Sequence, residues 1–338
     1  MSIRNTLLAG PMGFGTAPLG NMYRAISEQE AEATVDAAWE AGTRFFDTAP
    51  FYGAGLAEIR LGKALSKRPR DEYVIATKVG RLVLDELDDP NIRTFGEKGN
   101  IFRDGLANKI AYDYTADGTK RSIEDSLKRL GADRLDYVFI HDLAKDFHGD
   151  QWLSKFEEAR KGAFTVLDKL LEEGVIKSWG QGTNKVEPIE IMLELQGPRP
   201  NGTLLAGRYS LLDHESALQR LMPLALEKNV DVIVGGPYSS GVLVGGKHFE
   251  YGSVPPSVAG KVEKIKALCA RHSVPIKAAA LHFSLAHPAV VAIVPGASQP
   301  DRIVEDYAAF SFKVPGDFWK ELRVSGLVAE GAPLPNDH

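Results

Sequence analysis

The stretch Gly42-Thr-Arg-Phe-Phe-Asp47-Thr-Ala-Pro-Phe-Tyr52-Gly53 decides the fold of this chain. Its short apolar run predicts a buried strand, and an acid and a phenol follow directly. Two further apolar runs end in the same way, one at Lys78 and the other at His141. The carboxyl ends of parallel barrel strands converge on one face, where such folds keep their chemistry. We therefore expect these four side chains to meet at a single site.

Short β-rich runs alternate with longer helical patterns along the whole chain. Eight strand–helix units without a compositional break predict an α/β fold, a (β/α)8 TIM barrel formed by residues 1–338 as a single domain. A doubly wound sheet would carry phosphate-binding glycines after its first strand. Gly13-Phe-Gly15-Thr-Ala-Pro18 lacks the spaced third glycine, so that alternative is weak. One helix is predicted over 156–173, and long loops over 80–118 and 241–257 are expected to cover the C-terminal face of the barrel.

Composition excludes several classes of function. The net charge is -5 without a basic block, which argues against a nucleic-acid partner and against docking on a membrane. Cys269 is the only cysteine, so an intrachain disulfide and a Cys-based zinc site are excluded. The eight histidines are scattered, and no metal is predicted. The N-terminus has no apolar run of signal-peptide length, and we expect a cytoplasmic protein.

The four strand-end side chains form a proton-transfer set. A carbonyl carbon that receives hydride leaves negative charge on oxygen, which needs a proton donor, and the reverse reaction needs a base. The pKa of a free tyrosine is about 10, too high for an efficient base. A nearby ammonium favours the phenolate, so Lys78 is expected to lower the pKa of Tyr52. Asp47 would keep Lys78 charged and oriented, and His141 would hold the substrate oxygen.

Asp47, Tyr52, Lys78 and His141, in this order on successive strand ends, resemble the catalytic tetrad of the aldo-keto reductases. The resemblance extends from Gly13 to the segment 302–306. It implies an (α/β)8 barrel, a nicotinamide cofactor bound without a Rossmann domain, and hydride transfer between a carbonyl and an alcohol.

The resemblance also implies which residues bind the cofactor. Thr183 and Asn184 follow a glycine as in the family's Gly-x-Ser-Asn element, whose hydroxyl and amide hydrogen-bond the nicotinamide carboxamide. The full expected set comprises Gly15, Thr16, Asp47, Thr183, Asn184, Tyr209, Gly236, Tyr238, Ser240, Gly241, Gly296, Ser298, Arg302, Glu305 and Asp306.

Three positions depart from the family pattern. Ala206 stands where relatives commonly carry a Gln that contacts the carboxamide, and Gly235 replaces the aromatic residue that stacks on nicotinamide. Tyr238 or Tyr209 is the expected substitute for that ring. Gly296 replaces a Lys that meets the NADP phosphate, which favours NAD, although the retained Arg302 leaves use of NADP open.

The expected substrate is polar. Asp142 follows the His where reductases of apolar aldehydes often carry Trp, and with Asn21, Tyr52 and His141 it forms the predicted substrate contacts. The pattern is most similar to the branch that contains sugar 1-dehydrogenases of the L-fucose or D-threo-aldose type and pyridoxal 4-dehydrogenase. That branch implies oxidation of a lactol or hemiacetal, from an aldose sugar or pyridoxal, to a lactone with NAD(P)+.

Two alternatives stay open at the level of sequence. One is an NADPH-dependent reductase of small aldehydes or ketones. The other is a catalytically quiet barrel that binds nicotinamide as a regulatory subunit, like the potassium-channel β subunits of the same superfamily. The intact tetrad argues against the second alternative. The oligomeric state is not predicted.

Overall fold

The computed structural model describes residues 2–89, 101–102 and 104–335 of the chain. Eight parallel strands form one barrel, in which each strand pairs with the barrel strand that follows it in the chain. Backbone hydrogen bonds close the sheet, since Gly13 N donates to Ile293 O at 2.8 Å and Gly15 N donates to Pro295 O at 2.9 Å. The barrel strands are β1 (Phe14–Gly15), β2 (Phe45–Asp47), β3 (Val74–Val79), β6 (Tyr137–His141), β7 (Ser178–Thr183), β8 (Gly202–Ala206), β9 (Asp231–Gly235) and β10 (Val290–Val294).

Helices connect the barrel strands and cover the outside of the sheet. Each run of helical periodicity in the sequence buries one apolar stripe against the strands. The helices are α1 (Glu28–Glu40), α2 (Leu56–Leu65), α3 (Ala116–Leu130), α4 (Lys145–His148), α5 (Trp152–Lys161), α6 (Ala163–Glu172), α7 (Glu187–Glu194), α8 (Met222–Lys228), α9 (Pro256–Arg271), α10 (Ile276–Leu285), α11 (Pro300–Phe310) and α12 (Gly316–Val324). The (β/α)8 barrel predicted from the sequence is therefore confirmed. In the described part of the chain, no helix is both long and apolar enough to cross a membrane.

The barrel interior is filled from its N-terminal end. Ile3, in a short 3-10 turn before the first strand, is fully buried and packs in one cluster with Phe45, Tyr137 and Ile233 from three strands. A Cβ on Gly202 would approach the Ile3 Cδ1 atom to 2.3 Å, so the glycine makes room for this plug. With its N-terminal end filled by side chains, the barrel is open to ligands at its C-terminal face.

The segment 80–118 differs from the predicted loop. It contains an antiparallel hairpin of β4 (Arg81–Leu87) and β5 (Asn108–Tyr112), which is followed by the first three residues of α3. The prediction of a long loop there was wrong for these residues, because the cross-strand pairing that stabilises the two short strands joins residues that are distant in the sequence. The part of the prediction that concerns 90–100 and 103 lies outside the described residues.

The helix predicted over 156–173 is two helices. α5 and α6 are separated by Gly162, whose φ of -106° and ψ of -86° are not helical. A Cβ at Gly162 would come within 2.5 Å of Tyr114 O, and Ala163 N donates to the same carbonyl at 3.0 Å. The close approach of the α3 entry thus interrupts the helix, which is a tertiary effect that the local periodicity does not contain.

Candidate active site

A cavity of about 560 Å³ opens at the carboxyl ends of the barrel strands. Each of the eight barrel strands contributes one of its last two residues to the cavity lining. The carboxyl ends of parallel barrel strands all face the same side of the barrel, where the cavity opens. These residues are Gly15, Asp47, Lys78, His141, Thr183, Ala206, Gly235 and Val294.

Lys78 is the centre of the polar floor of this cavity. Its ammonium Nζ, 1% exposed, lies 2.9 and 2.8 Å from the two carboxylate oxygens of Asp47 and donates to Thr48 O at 2.9 Å. The fourth contact is to the Tyr52 hydroxyl at 3.1 Å. The short loop after β2 brings Tyr52 back over the strand ends, so the acid, the amine and the phenol form one connected group, as the sequence predicted.

The electrostatic environment of Tyr52 differs from the expectation. Burial, followed by the negative charges of Asp47 and Asp142, raises the pKa of Tyr52 well above 10, and Arg81 opposes this shift only in part. The net shift is therefore opposite to the lowering that was expected from Lys78. Asp47 binds the same ammonium through both oxygens, so the pair presents little net positive charge to Tyr52. Tyr52 is therefore a protonated phenol that can donate.

His141 meets Tyr52 edge to face, with ring centroids 5.8 Å apart. Burial and the cations of Arg81 and Lys78 hold the pKa of His141 well below 6.5, so the imidazole is neutral. Its Nε2 lies 3.3 Å from Asp142 Oδ2. Asp142 is 8% exposed and lines the cavity, so its carboxylate faces the site rather than solvent.

The wall next to the tetrad is aromatic. The Tyr52 ring stacks on Phe102, with centroids 5.9 Å apart, and Phe51 meets His141 at 5.8 Å. Together with Phe147 and Tyr251 these rings surround the end of the cavity that contains the tetrad. An apolar wall around two neutral proton-exchanging groups suits an organic substrate held by ring contacts and oriented by few polar groups.

Asn21 does not lie in this wall. Its Oδ1 accepts from Arg60 at 2.8 Å and from Ile26 N at 3.1 Å, and its Nδ2 donates to Asp104 O at 2.6 Å. The amide therefore holds together the loop after β1 and is engaged on all sides. We correct the expectation that Asn21 contacts the substrate, because its φ of 66° and its three partners give it a structural role.

Most of the expected cofactor residues share the cavity with the tetrad. Those that line it are Gly15, Asp47, Thr183, Asn184, Gly236, Tyr238, Ser240, Gly241, Gly296, Ser298, Arg302 and Asp306. Three others lie behind the lining, namely Thr16, Tyr209 and Glu305. Tyr209 is fully buried and stacks on Phe283 at 5.6 Å, so it belongs to the core and is not a substitute for the missing nicotinamide ring.

Tyr238 also has a different setting from the one expected. It lines the cavity, but its hydroxyl donates to Asp306 Oδ1 at 2.8 Å. Lys277 Nζ lies 2.6 Å from the same oxygen and 3.0 Å from Glu305 Oε2, which in turn meets Arg302 at 3.1 Å. This end of the cavity is a network of alternating charges rather than a stacking surface.

Lys277 is a site residue that the sequence analysis missed. It is the second residue of α10 and lines the cavity, and its side chain is 15% exposed. Its pairing with Asp306 joins residues 29 positions apart, so no local motif signals it. Arg24 was missed for the same reason, since it lines the cavity and donates to Ser298 O at 3.1 Å across 274 positions.

The segment 241–257 and the loop after β1 cover the cavity from two sides. The Tyr23 and His248 rings stack with centroids 4.2 Å apart and planes tilted by 3°. Tyr251 N donates to Ser240 Oγ at 3.3 Å, and Tyr251 and Glu250 both adopt positive φ angles, 68° and 47°. The expected loop over the C-terminal face is therefore present at 241–257, held by contacts between the two segments.

Small residues leave the floor of the cavity open. Gly235 and Ala206 are register partners on adjacent strands, and a Cβ at Gly235 would approach that of Ala206 to 3.3 Å. A Cβ at Gly182 would lie 3.4 Å from Lys78 Cε, next to the ammonium. This backbone-lined cradle beside Thr183 and Asn184 fits a planar ring with an amide substituent, as nicotinamide has. The cations Arg24, Lys277 and Arg302 line the same cavity, as binding of a pyrophosphate or ribose phosphate requires.

Comparison with known proteins agrees with this geometry. The profile of the Aldo/keto reductase family matches residues 11–325. Pyridoxal 4-dehydrogenase of Microbacterium luteolum is 35% identical over 334 residues, 96% of each chain. D-threo-aldose 1-dehydrogenase of a Pseudomonas species is 34% identical over 328 residues, 94% of each chain. An aldo-keto reductase from Bacillus halodurans, solved in its holo form, superposes with a TM-score of 0.65 at 25% identity, over 97% of this chain and 94% of that one.

Proposed function

The chain belongs to the aldo/keto reductase family and is an NAD(P)-dependent oxidoreductase, and from this premise we propose that it oxidises a lactol or hemiacetal to a lactone. The proposed substrate is the cyclic form of a polar aldehyde, either pyridoxal or an aldose sugar. The observation that carries the proposal is the buried Lys78 ammonium on the floor of the cavity, which pairs with the Asp47 carboxylate and lies 3.1 Å from the Tyr52 hydroxyl.

In this proposal each tetrad residue has one task. Tyr52 exchanges a proton with the reacting oxygen, accepting it during oxidation and returning it during reduction. Lys78 hydrogen-bonds the Tyr52 oxygen and stabilises the phenolate when it forms, while Asp47 keeps Lys78 charged and in place. The neutral His141 binds the substrate oxygen, because a neutral imidazole donates from one ring nitrogen and accepts at the other. A bound nicotinamide supplies the remaining chemistry, since it accepts or returns the hydride.

Asp142 and the aromatic wall support a polar but ring-shaped substrate. The Asp142 carboxylate lies beside His141 in the cavity and can accept a hydrogen bond from a second substrate hydroxyl. Phe51, Phe102 and Phe147 offer ring faces to a flat or cyclic molecule. The names of the two relatives, a pyridoxal dehydrogenase and an aldose dehydrogenase, are consistent with this combination.

We propose NAD as the preferred cofactor, held by Thr183, Asn184 and the glycines of the cradle. Two cavity cations already bind carboxylates of the same chain: Arg302 pairs with Glu305 at 3.1 Å and Lys277 with Asp306 at 2.6 Å. A ribose 2′-phosphate would have to compete with these carboxylates, whereas a ribose hydroxyl would not. Gly296 adds no cation where relatives carry Lys, so the balance favours the cofactor without the phosphate.

One observation favours reduction of small aldehydes as a second candidate. Burial and Asp47 raise the pKa of Tyr52, so the phenol is protonated at neutral pH and can donate a proton. The regulatory-subunit alternative is disfavoured, because a barrel that only binds nicotinamide has no need of the buried group of Asp47, Lys78 and Tyr52. Taking two charges out of water is costly, and a binding protein gains nothing from that cost.

Initial rates with NAD+ and NADP+ against pyridoxal and a panel of free aldoses test the proposal. We expect NADH formation with at least one of these lactols, and a lactone as the product by mass spectrometry. The matched control is Tyr52→Phe, which should lower the rate of product formation by about 10²–10⁴-fold without loss of NADH binding. Turnover only of open-chain aldehydes with NADPH would support the second candidate, and no turnover with any lactol, aldehyde or alcohol would favour the regulatory alternative.

A further inference from the structure

Two buried ion pairs flank the proton-exchanging groups, and the proposed function uses only one of them. Lys78 and Asp47 serve Tyr52, while Arg81 and Asp142 lie beside His141. We propose that Arg81 is a positioning residue that, through Asp142, fixes the orientation of His141 and its neutral form with the proton on Nε2. This inference rests on the proposed role of His141 in binding the substrate oxygen.

One carboxylate oxygen joins the cation to the imidazole. Asp142 Oδ2 lies 3.1 Å from Arg81 Nη2 and 3.3 Å from His141 Nε2. Because both neighbours approach the same oxygen, a shift of the guanidinium would move the carboxylate relative to the imidazole. A carboxylate facing one ring nitrogen favours the tautomer that carries hydrogen there, as in other Asp–His pairs.

The backbone conformation of Asp142 allows its side chain to contact His141. Its φ of 46° lies in the left-handed region, which an Asp adopts at a cost. Asp142 N donates to Gly182 O at 2.9 Å, so the residue stays tied to the neighbouring strand while its side chain turns back towards His141. A strained conformation persists only where the surrounding structure imposes it, and the pairing with Arg81 is one such constraint.

Arg81 is itself held in a fixed place. Its guanidinium, 1% exposed, lies 3.9 Å from the centre of the Phe51 ring and 4.5 Å from that of Phe147, which both line the cavity. It begins β4 directly after Gly80, whose φ of 97° turns the chain out of the barrel. Arg81 therefore supports the aromatic wall and the carboxylate together, and it does so from behind the lining, without contact with the cavity.

The charges around His141 come from several elements. Lys78 from β3 and Arg81 from β4 are the cations that disfavour imidazolium, and Asp142 is the nearest anion. Other described titratable groups near this centre are the phenols of Tyr52, Tyr114 and Tyr251 and the carboxylate of Asp47, which is neutralised by Lys78. Of these, Tyr114 donates to His141 O at 3.1 Å, so it fixes the backbone and not the ring.

Replacing Arg81 by Met removes the cation and keeps a long apolar side chain. Asp142 then remains buried beside His141 without the Arg81 guanidinium, so a proton becomes more favourable on that pair. We expect the pH at which His141 changes its protonation state to rise by about 1–3 units, the usual effect of an unopposed charge at this distance. A proton taken up by Asp142 instead would reverse the tautomer of His141, with Nδ1 carrying the hydrogen.

Nitrogen-15 NMR of the histidine side chains in the cofactor-free protein measures both quantities, with His141→Gln used to assign the signal. The parent is expected to stay in the Nε2–H tautomer well below pH 6.5, and Arg81→Met should show either imidazolium at higher pH or the reversed tautomer. Asp142→Asn, a milder change, should leave a mixture of tautomers. An unchanged tautomer and titration in folded Arg81→Met or Asp142→Asn protein would overturn the inference.

The matched control is Arg129→Met, which breaks another buried pair, that of Arg129 Nε with Glu58 Oε2 at 2.6 Å. It should lower stability without any change at His141, whereas a general structural effect of losing an ion pair would alter both proteins alike. The double variant Arg81→Met with Asp142→Asn removes both charges and should bring the titration of His141 back towards that of the parent. Since NMR needs no turnover, this experiment can fail while the proposed function stands, and the reverse also holds.

Discussion

Tyr52→Phe separates catalysis from stability in this protein. The substitution removes one hydroxyl, and the structure shows how little else depends on it. Lys78 Nζ keeps three of its four acceptors, the two Asp47 oxygens and Thr48 O, all within 2.9 Å. The ring stays between Phe102 and His141, where Phe makes the same contacts. The active site should therefore keep its shape.

The expected effects differ greatly in size. Loss of a general acid–base group lowers turnover by about 10²–10⁴-fold. Loss of one hydrogen bond costs about 0.5–1.5 kcal/mol of stability, less here because the buried phenol also loses its desolvation cost. For a chain of this size that corresponds to a fall in melting temperature of at most about 3 °C. The Kd for NADH should hardly change.

The assay combines initial rates in both directions, NADH fluorescence titration and thermal unfolding. Tyr137→Phe is the matched control, because this buried tyrosine bonds Thr6 Oγ1 at 2.5 Å at the opposite end of the barrel. It should keep the turnover of the parent. If Tyr52→Phe retained turnover within about threefold of the parent, the assignment of Tyr52 as the proton-exchanging group would be refuted.

Four further predictions are tested by initial rates, cofactor binding and unfolding. The oxidation rate should rise toward alkaline pH, because a buried phenol of raised pKa must lose its proton to act as a base; a maximum in acid would contradict this. Gly296→Lys should improve NADP+ binding by about one to two decades relative to NAD+, and tighter NADP+ binding by the parent would show the NAD assignment to be wrong. Lys78→Met should cost about 3–5 kcal/mol in urea unfolding, since Asp47 is left buried and unpaired; an unchanged midpoint would argue that the pair is dispensable. Burial lowers the pKa of His148 and His287 to about 4, so only the unfolded chain binds their protons between about pH 6.5 and 4 and stability should fall over that range; a flat profile, or one that His287→Gln leaves unchanged, would contradict this.

The fold was predictable because its signals are local. Each barrel strand is a short apolar run bounded by turn residues, and each helix has its own periodicity and ends. Ser27, for example, caps α1, and its hydroxyl accepts from Glu30 N at 3.1 Å. Such signals need only a few neighbouring residues, so they survive without any knowledge of the tertiary structure.

The errors occurred where the cause lay far away in sequence. The hairpin of β4 and β5 pairs Leu87 with Asn108 across 20 intervening residues, so neither strand by itself indicates the partner that stabilises it. The break at Gly162 follows from the nearby carbonyl of Tyr114. Asn21 carries a polar amide at the mouth of the barrel, and only the position of Arg60 on α2 shows that this amide is already used.

The sequence by itself determined the barrel, the family and the order of Asp47, Tyr52, Lys78 and His141 along the strand ends. Their functional roles stay predictions, although the structure brings all four to one cavity. Only the tertiary structure decided the charge state of the site. The pKa values of Tyr52 and His141 depend on how deeply each is buried and on charges such as Arg81 and Asp142, which lie 61 positions apart in the chain and 3.1 Å apart in space. The Coulomb interaction depends on the distance between charges, and desolvation depends on how far a group is removed from water. Neither quantity can be derived from the sequence without the tertiary structure.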